Sequence, residues 1–261
     1  MKPILISAAG VFAVLFVLIV LFVATSWAPE RSVEELKARW APSPSIFIEV
    51  AGMRVHLRDE GPRDDRAPIV LVHGMGSSLH AWEGWAQALK QERRVIRFDL
   101  PGFGLTGPAP DGVYSIGRDI GTVIAVLDKL GVRRCVLGGV SLGGRIAWRT
   151  ALAHPSRIEK LILVDSSGYR TRPVSQPLGF RLATLRVAGI SWLVENTLPR
   201  FLVVQGIRNV FGDPDKVTDE MVDRTVDLTR RQGNRRAIID RFRQREPGAM
   251  SERIKELKLP T

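Results

Sequence analysis

From Ser45 to Val164 the chain alternates short apolar runs with longer amphipathic stretches, and this limits the fold more than any other feature of its 261 residues. Ser45–Val50 and Met53–Arg58 predict a strand pair turning at Ala51-Gly52. Ile69–Val72 predicts a buried strand, and Val95–Leu100, Cys135–Gly138 and Leu161–Val164 predict further strands. Between them, Leu79–Gln91, Ser115–Leu130 and Leu142–Ala153 have helical spacing, and Gly131 ends the second. Strands that take turns with helices of this length predict an α/β domain: a mostly parallel sheet with helices on both faces. The single cysteine, Cys135, excludes an intramolecular disulfide and any all-cysteine metal site.

After Gly168 the alternation stops. Leu178–Gly212 is apolar with interspersed arginines, among them Arg181, Arg186, Arg200 and Arg208, and Asp213–Arg245 is charged; both predict helices. The chain carries 38 Lys and Arg against 27 Asp and Glu, a net charge of +11. Such a balance suits anionic partners. The basic residues are mixed with acids and no recognition motif is present, so nucleic acid is not an expected partner.

Ile4–Ala24 is uncharged and would be about 31 Å long as a helix, matching a hydrocarbon core of about 30 Å. The expectation is an uncleaved single-pass transmembrane anchor over residues 1–28, with Trp27 and Trp40 at the lipid interface. The lipid bilayer is then a partner, and the remaining chain is placed outside the cytoplasm because the segment also resembles an export signal. Residues 29–44, closing on Ala41-Pro42-Ser43-Pro44, form the linker.

The chemistry sits in Gly139-Val140-Ser141-Leu142-Gly143, a G-x-S-x-G motif between a predicted strand and a predicted helix. A turn that tight leaves no room for side chains two positions either side of the serine, and glycine removes the collision. Ser141 then stands proud of the sheet edge as a candidate nucleophile. The backbone N–H of Leu142 opens a helix, where negative charge is favoured. Gly102-Phe103-Gly104-Leu105-Thr106-Gly107 matches G-x-G-x-x-G, but Pro108, Pro110 and Gly112 follow, so no helix opens to receive a pyrophosphate. No cofactor and no metal are expected.

With these residues in view, the chain from about Ser45 to Thr261 resembles the α/β-hydrolase fold family. The resemblance rests on His73-Gly74-Met75-Gly76, Asp99-Leu100-Pro101-Gly102-Phe103-Gly104, Gly139–Gly143 and Leu163-Val164-Asp165-Ser166-Ser167 in combination. It implies a hydrolase core over residues 45–168, a helical cap over 169–254 after the sixth strand, and the start of a C-terminal part of the core over 255–261. It also implies an oxyanion hole made by the backbone N–H groups of Met75 and Leu142. His73 is expected to bond backbone and fix its loop, with Gly74, Gly139 and Gly143 as structural positions.

The family's chain order is serine, acid, histidine. Of the four histidines, His56, His73 and His80 precede Ser141, and His154 closes the helix after it. The acid and histidine are therefore expected beyond residue 261, in an apparently incomplete chain, with Asp165 as an alternative acid. The function expected is a serine hydrolase acting on a small apolar ester or lipid-like acyl substrate through an acyl-serine intermediate. The alternatives are a catalytically inactive membrane-tethered binding protein, or another chemistry of the fold such as carbon–carbon hydrolysis or a peroxidase-like reaction.

Overall fold

The computed structural model describes residues 8–168, 188–244 and 251–261. Its centre is a six-stranded sheet: β1 (Ser45–Val50), β2 (Met53–Glu60), β3 (Ile69–Val72), β4 (Val95–Phe98), β5 (Cys135–Val140) and β6 (Ile158–Val164). The spatial order is β1-β2-β4-β3-β5-β6. β1 and β2 form an antiparallel hairpin, β2 runs antiparallel to β4, and the remaining pairs are parallel. The hairpin turns where expected, with Ala51 and Gly52 both at positive φ.

The helices on the sheet's faces include α3 (Glu83–Leu89), α4 (Ile116–Lys129) and α5 (Leu142–Ala153). The Ser115 side chain caps α4 by accepting from Arg118 N–H, and Gly131 follows its end at φ +67°. One apolar cluster joins α4 and α5 to one face, with Val123, Val126, Leu127, Ile146 and Trp148 against Val70, Val72 and Phe98. A smaller one covers the other face, with Trp82 and Ala86 against Leu71, Val95 and Val136. The predicted helix over Leu79–Gln91 is instead a 3-10 turn, Leu79–Trp82, running into α3. Leu79 N–H is drawn to the Asp99 carboxylate at 2.7 Å, which sets the geometry of that first turn.

Beyond the sixth strand the described residues form α6 (Ala188–Asn196), α7 (Arg200–Arg208), α8 (Asp219–Thr229) and α9 (Asn234–Arg243). Arg181 and Arg186 lie outside the described residues. α9 is seated on the loop that leaves β4. Arg241 grips Asp119 with both terminal nitrogens, at 2.6 and 2.9 Å, and also donates to Pro101 O. Asn234 donates to Gly104 O at 2.9 Å. At the far edge of the sheet, Pro260 O accepts from Leu161 N–H of β6, with Leu257 and Leu259 packed against the core.

The N-terminal expectation is corrected. Among the described residues no helix is long and apolar enough to cross a membrane. The N-terminal helix, α1, is described over Ala8–Ser26. Its end is committed to protein. Ser26 O accepts from Leu198 N–H and Ala28 N–H donates to Asn196 O. Of the two tryptophans expected at the lipid interface, Trp27 is 47% exposed with its ring tilted at 46° against Trp192, and Trp40 is buried with its indole N–H on Asp227. The single-pass membrane location, and with it the placement of the domain outside the cytoplasm, is withdrawn.

Candidate functional site

Because β3, β4, β5 and β6 are parallel, their carboxyl ends share one edge of the sheet. That edge gathers His73–Met75, Asp99–Gly107, Ser141 and Asp165. Ser141 occupies the bend between β5 and α5 at φ 52°, ψ −111°, a conformation that side-chain-bearing residues seldom adopt. The surrounding backbone enforces it. Ser141 N–H donates to Val164 O at 3.0 Å, while its carbonyl accepts from Ser167 N–H at 3.0 Å, Ser167 Oγ at 3.1 Å and Arg145 N–H.

The glycines show why the bend needs this sequence. A Cβ on Gly139 would lie 2.2 Å from the Gly143 backbone, and one on Gly143 would lie 2.1 Å from Val72 O. Neither neighbour is a side-chain end that can swing away, so the strand, bend and helix approach this closely only through glycine. Ser141 itself is half-buried. Leu142, the next residue, begins α5, and the first N–H groups of a helix have no partner within it. A negative charge forming beside Ser141 meets that amide and the positive end of the helix dipole.

The loop after β3 lies against the serine. A Cβ on Gly74 would meet Ser141 Cβ at 3.4 Å. His73 is fully buried, and its Nε2 accepts from Leu100 N–H at 3.0 Å. The proton is therefore on Nδ1, which donates to Gly74 O at 2.8 Å. Burial pushes the His73 pKa down and keeps the ring neutral, outweighing the nearby Asp99 carboxylate. Gly74 C=O and Met75 N–H belong to one planar trans peptide, so holding the carbonyl fixes the direction of the amide. The Met75 side chain is partly exposed, at 39%.

Leu100 is held in turn by Asp99. That carboxylate accepts from Leu79 N–H at 2.7 Å and Leu105 N–H at 2.8 Å, and pairs with His56 Nδ1 at 2.7 Å, all buried. Burial alone would raise its pKa; His56 and the neighbouring histidines bring it down to about 2. This aspartate belongs to the segment the sequence singled out, but its partner His56, 43 positions earlier, left no local signal.

Asp165 follows β6, is exposed, and has φ 42°. Its strain was not foreseen, and Ser167, which pins the Ser141 carbonyl, was missed as well. The four histidines are not gathered at the serine. His56 is paired with Asp99, His73 serves its own loop, and His80 donates from Nε2 to Trp40 O and accepts at Nδ1 from Ser78 Oγ. His154 caps the far end of α5, about 18 Å from its start by helical rise. Among the described residues no group of three or more His, Cys, Asp or Glu side chains is placed to hold a metal.

Comparison with known proteins is consistent with this geometry. The model of the alpha/beta hydrolase fold matches residues 67–203. The 2-hydroxymuconate semialdehyde hydrolase of Pseudomonas sp. (strain CF600) is 30% identical over 197 residues, 73% of this chain and 64% of that protein. A protein of the same name from Pseudomonas putida is 38% identical over 130 residues, 48% of this chain and 45% of that one. The chain thus spans less than two thirds of the length of these relatives. Among solved structures, a meta-cleavage product hydrolase from Pseudomonas fluorescens superposes with a TM-score of 0.65 at 25% identity, covering 84% of this chain and 76% of that one.

Proposed function

Since the chain belongs to the α/β-hydrolase fold family, we propose that it is a hydrolase with Ser141 as its nucleophile. The observation that carries this reading is the strained, glycine-walled bend that sets Ser141 beside the amide opening α5, which the helix itself leaves without a partner. Ser141 Oγ gives its proton to a general base, a role none of the four histidines is placed to fill, and attacks a carbonyl carbon, forming a C–O bond as the carbonyl becomes an oxyanion. Leu142 N–H and Met75 N–H supply the two donors; losing one such donor typically costs about 3–4 kcal/mol of transition-state stabilisation. Collapse of the oxyanion breaks the bond to the leaving group, which takes up the proton removed from Ser141; water then attacks the acyl carbon, giving one proton back to Ser141 Oγ as the acid is released. Asp165, exposed at the end of β6, is retained as the candidate acid.

The substrate class is read as a small apolar carboxylic ester or acyl lipid. The apolar character of Leu178–Gly212, whose described part leaves Trp192, Phe201 and Leu202 exposed, is what favours an apolar ligand in this reading. A second reading, hydrolysis of a carbon–carbon bond in an oxo-dienoate, is supported by relatives named as a 2-hydroxymuconate semialdehyde hydrolase and a 2-hydroxy-6-oxo-2,4-heptadienoate hydrolase. Both use the same serine and oxyanion donors, and they part at the leaving group, an alkoxide or a carbanion.

The two are separated by assaying p-nitrophenyl butyrate beside 2-hydroxy-6-oxo-hepta-2,4-dienoate, with Ser141→Ala as control. Ser141-dependent release of p-nitrophenol without dienoate cleavage supports the ester reading; the reverse supports the carbon–carbon reading. Turnover of either substrate that survives Ser141→Ala overturns the nucleophile assignment.

A further inference from the structure

The segment between α1 and β1 does more than join them. It reaches the C-terminal helices at two places. At the first, Ala28 N–H donates to Asn196 O at 3.0 Å, Leu198 N–H donates to Ser26 O at 2.8 Å, and Trp27 packs on Trp192 with ring centroids 5.7 Å apart. At the second, where α8 gives way to α9, Arg31 N–H donates to Arg230 O at 2.8 Å and Gln232 N–H donates to Arg31 O at 2.9 Å. Arg230 Nε reaches Pro29 O, and Gly233 N–H, at the head of α9, donates to Glu30 Oε1 at 2.8 Å. Backbone bonds of this kind fix the register of two strands of chain as a short sheet does.

The same segment is also locked to the core. Helix α2 (Val33–Trp40) ends in a buried tryptophan whose Nε1–H donates to Asp227 Oδ2 at 3.0 Å, and Arg31 donates to the other oxygen of that carboxylate at 2.9 Å. Leu36 and Trp40 pack in one cluster with Leu228 of α8 and Leu105 of the loop after β4. Trp40 O accepts from His80 Nε2 at 2.9 Å. His80 adjoins Leu79, which is bonded to Asp99; Asp99 precedes Leu100, whose amide holds His73. From Asp227 to the loop beside Ser141, every step is thus a named hydrogen bond or a shared backbone.

We infer that residues Ser26–Trp40 are a clamp that sets how the C-terminal helices seat on the serine-bearing edge, with Asp227 as its pivot. Asp227 and Trp40 are then positioning residues for substrate access. They touch no reacting atom; they fix the angle of α8 and α9 above the loop on which α9 rests. The role in access rests on the hydrolase reading given above. The clamp itself does not, and its test is chosen accordingly.

Hydrogen exchange on the full chain measures the clamp directly. In Asp227→Ala, amides over residues 26–31, 230–237 and 101–107 are expected to exchange about tenfold faster, with β5 and β6 unchanged. Trp40→Phe removes the indole donor and part of its packing while leaving Asp227 its bond to Arg31, so the same three regions are expected to move about threefold; it decides the matter if Asp227→Ala does not fold. In parallel, the ratio of kcat/KM for p-nitrophenyl decanoate to that for p-nitrophenyl acetate is expected to rise about threefold or more in either variant, carried by KM. Faster exchange confined to α8, or spread evenly over the sheet, overturns the clamp, and so does an unmoved ratio in a chain that hydrolyses both esters. If wild-type chain hydrolyses neither ester, the ester reading fails and the exchange pattern still judges the clamp.

Discussion

Two bends flank β3 at the same edge of the sheet, and they are built on opposite principles. The bend after β4 buries Asp99 completely and satisfies its carboxylate with two backbone amides and an imidazole. The bend after β5 holds Ser141 at positive φ, half-buried, with its described hydrogen bonds made by its backbone. One invests in satisfied polar contacts and rigidity. The other tolerates strain and leaves a hydroxyl with no hydrogen bond among the described residues. Strain retained beside full satisfaction is the pattern expected where a side chain has work besides holding the fold together.

The sharpest way to break that contrast is to attack the satisfied bend. Asp99→Ala leaves two buried amides and an imidazole without their acceptor, and is expected to cost about 4 kcal/mol. Chemical denaturation would measure it, and a loss under 1 kcal/mol would mean that water replaces the carboxylate. Next comes the packing of the serine bend. Gly143→Ala places a Cβ within 2.1 Å of Val72 O; the expected loss is about 3 kcal/mol, read by the same method.

These two positions also show what a sequence reveals and what it hides. Gly139 and Gly143 were legible because a steric demand confined to five residues leaves a five-residue signature. The boundaries of α5 followed from the same motif and match Leu142–Ala153. Strand β6 was read late, from Leu161 instead of Ile158, because Glu159 and Lys160 interrupt its apolar run. Arg97 is fully buried in β4 and lies among Glu60 and Glu83, an arrangement that no local pattern announces. The longest error has the same root. Ile4–Ala24 was read by hydropathy, while what fixes the end of α1 is Leu198 and Asn196, far along the chain. The clamp at Asp227 joins residues 187 positions apart and was invisible for that reason.

Acid sharpens the comparison next. Burial lowers the His80 pKa to about 4, against the weaker pull of Asp99. Between the ordinary histidine value and that figure the unfolded chain binds a proton that the folded chain refuses. Stability therefore falls as pH drops from about 6.5 to about 4, by up to ~3 kcal/mol from His80, and His73 acts in the same direction. Asp99 and Glu83, both held near 2, extend the loss as pH falls from about 4 towards 2. Urea midpoints across this range test it, and a flat profile from pH 6.5 to 4.5 would contradict the buried neutral histidines. The smallest effect has the opposite sign. Ser141→Gly relieves the positive φ and is expected to stabilise the fold by about 1 kcal/mol while abolishing Ser141 chemistry.

The central claim is that the strained serine is the reactive group. Intact-mass analysis after exposure to a fluorophosphonate, followed by peptide mapping, tests it most directly. The account predicts a single adduct on the peptide containing Ser141, absent in Ser141→Ala and undiminished in Ser166→Ala. An adduct carried by another residue, or none on wild-type chain that remains folded, would contradict it.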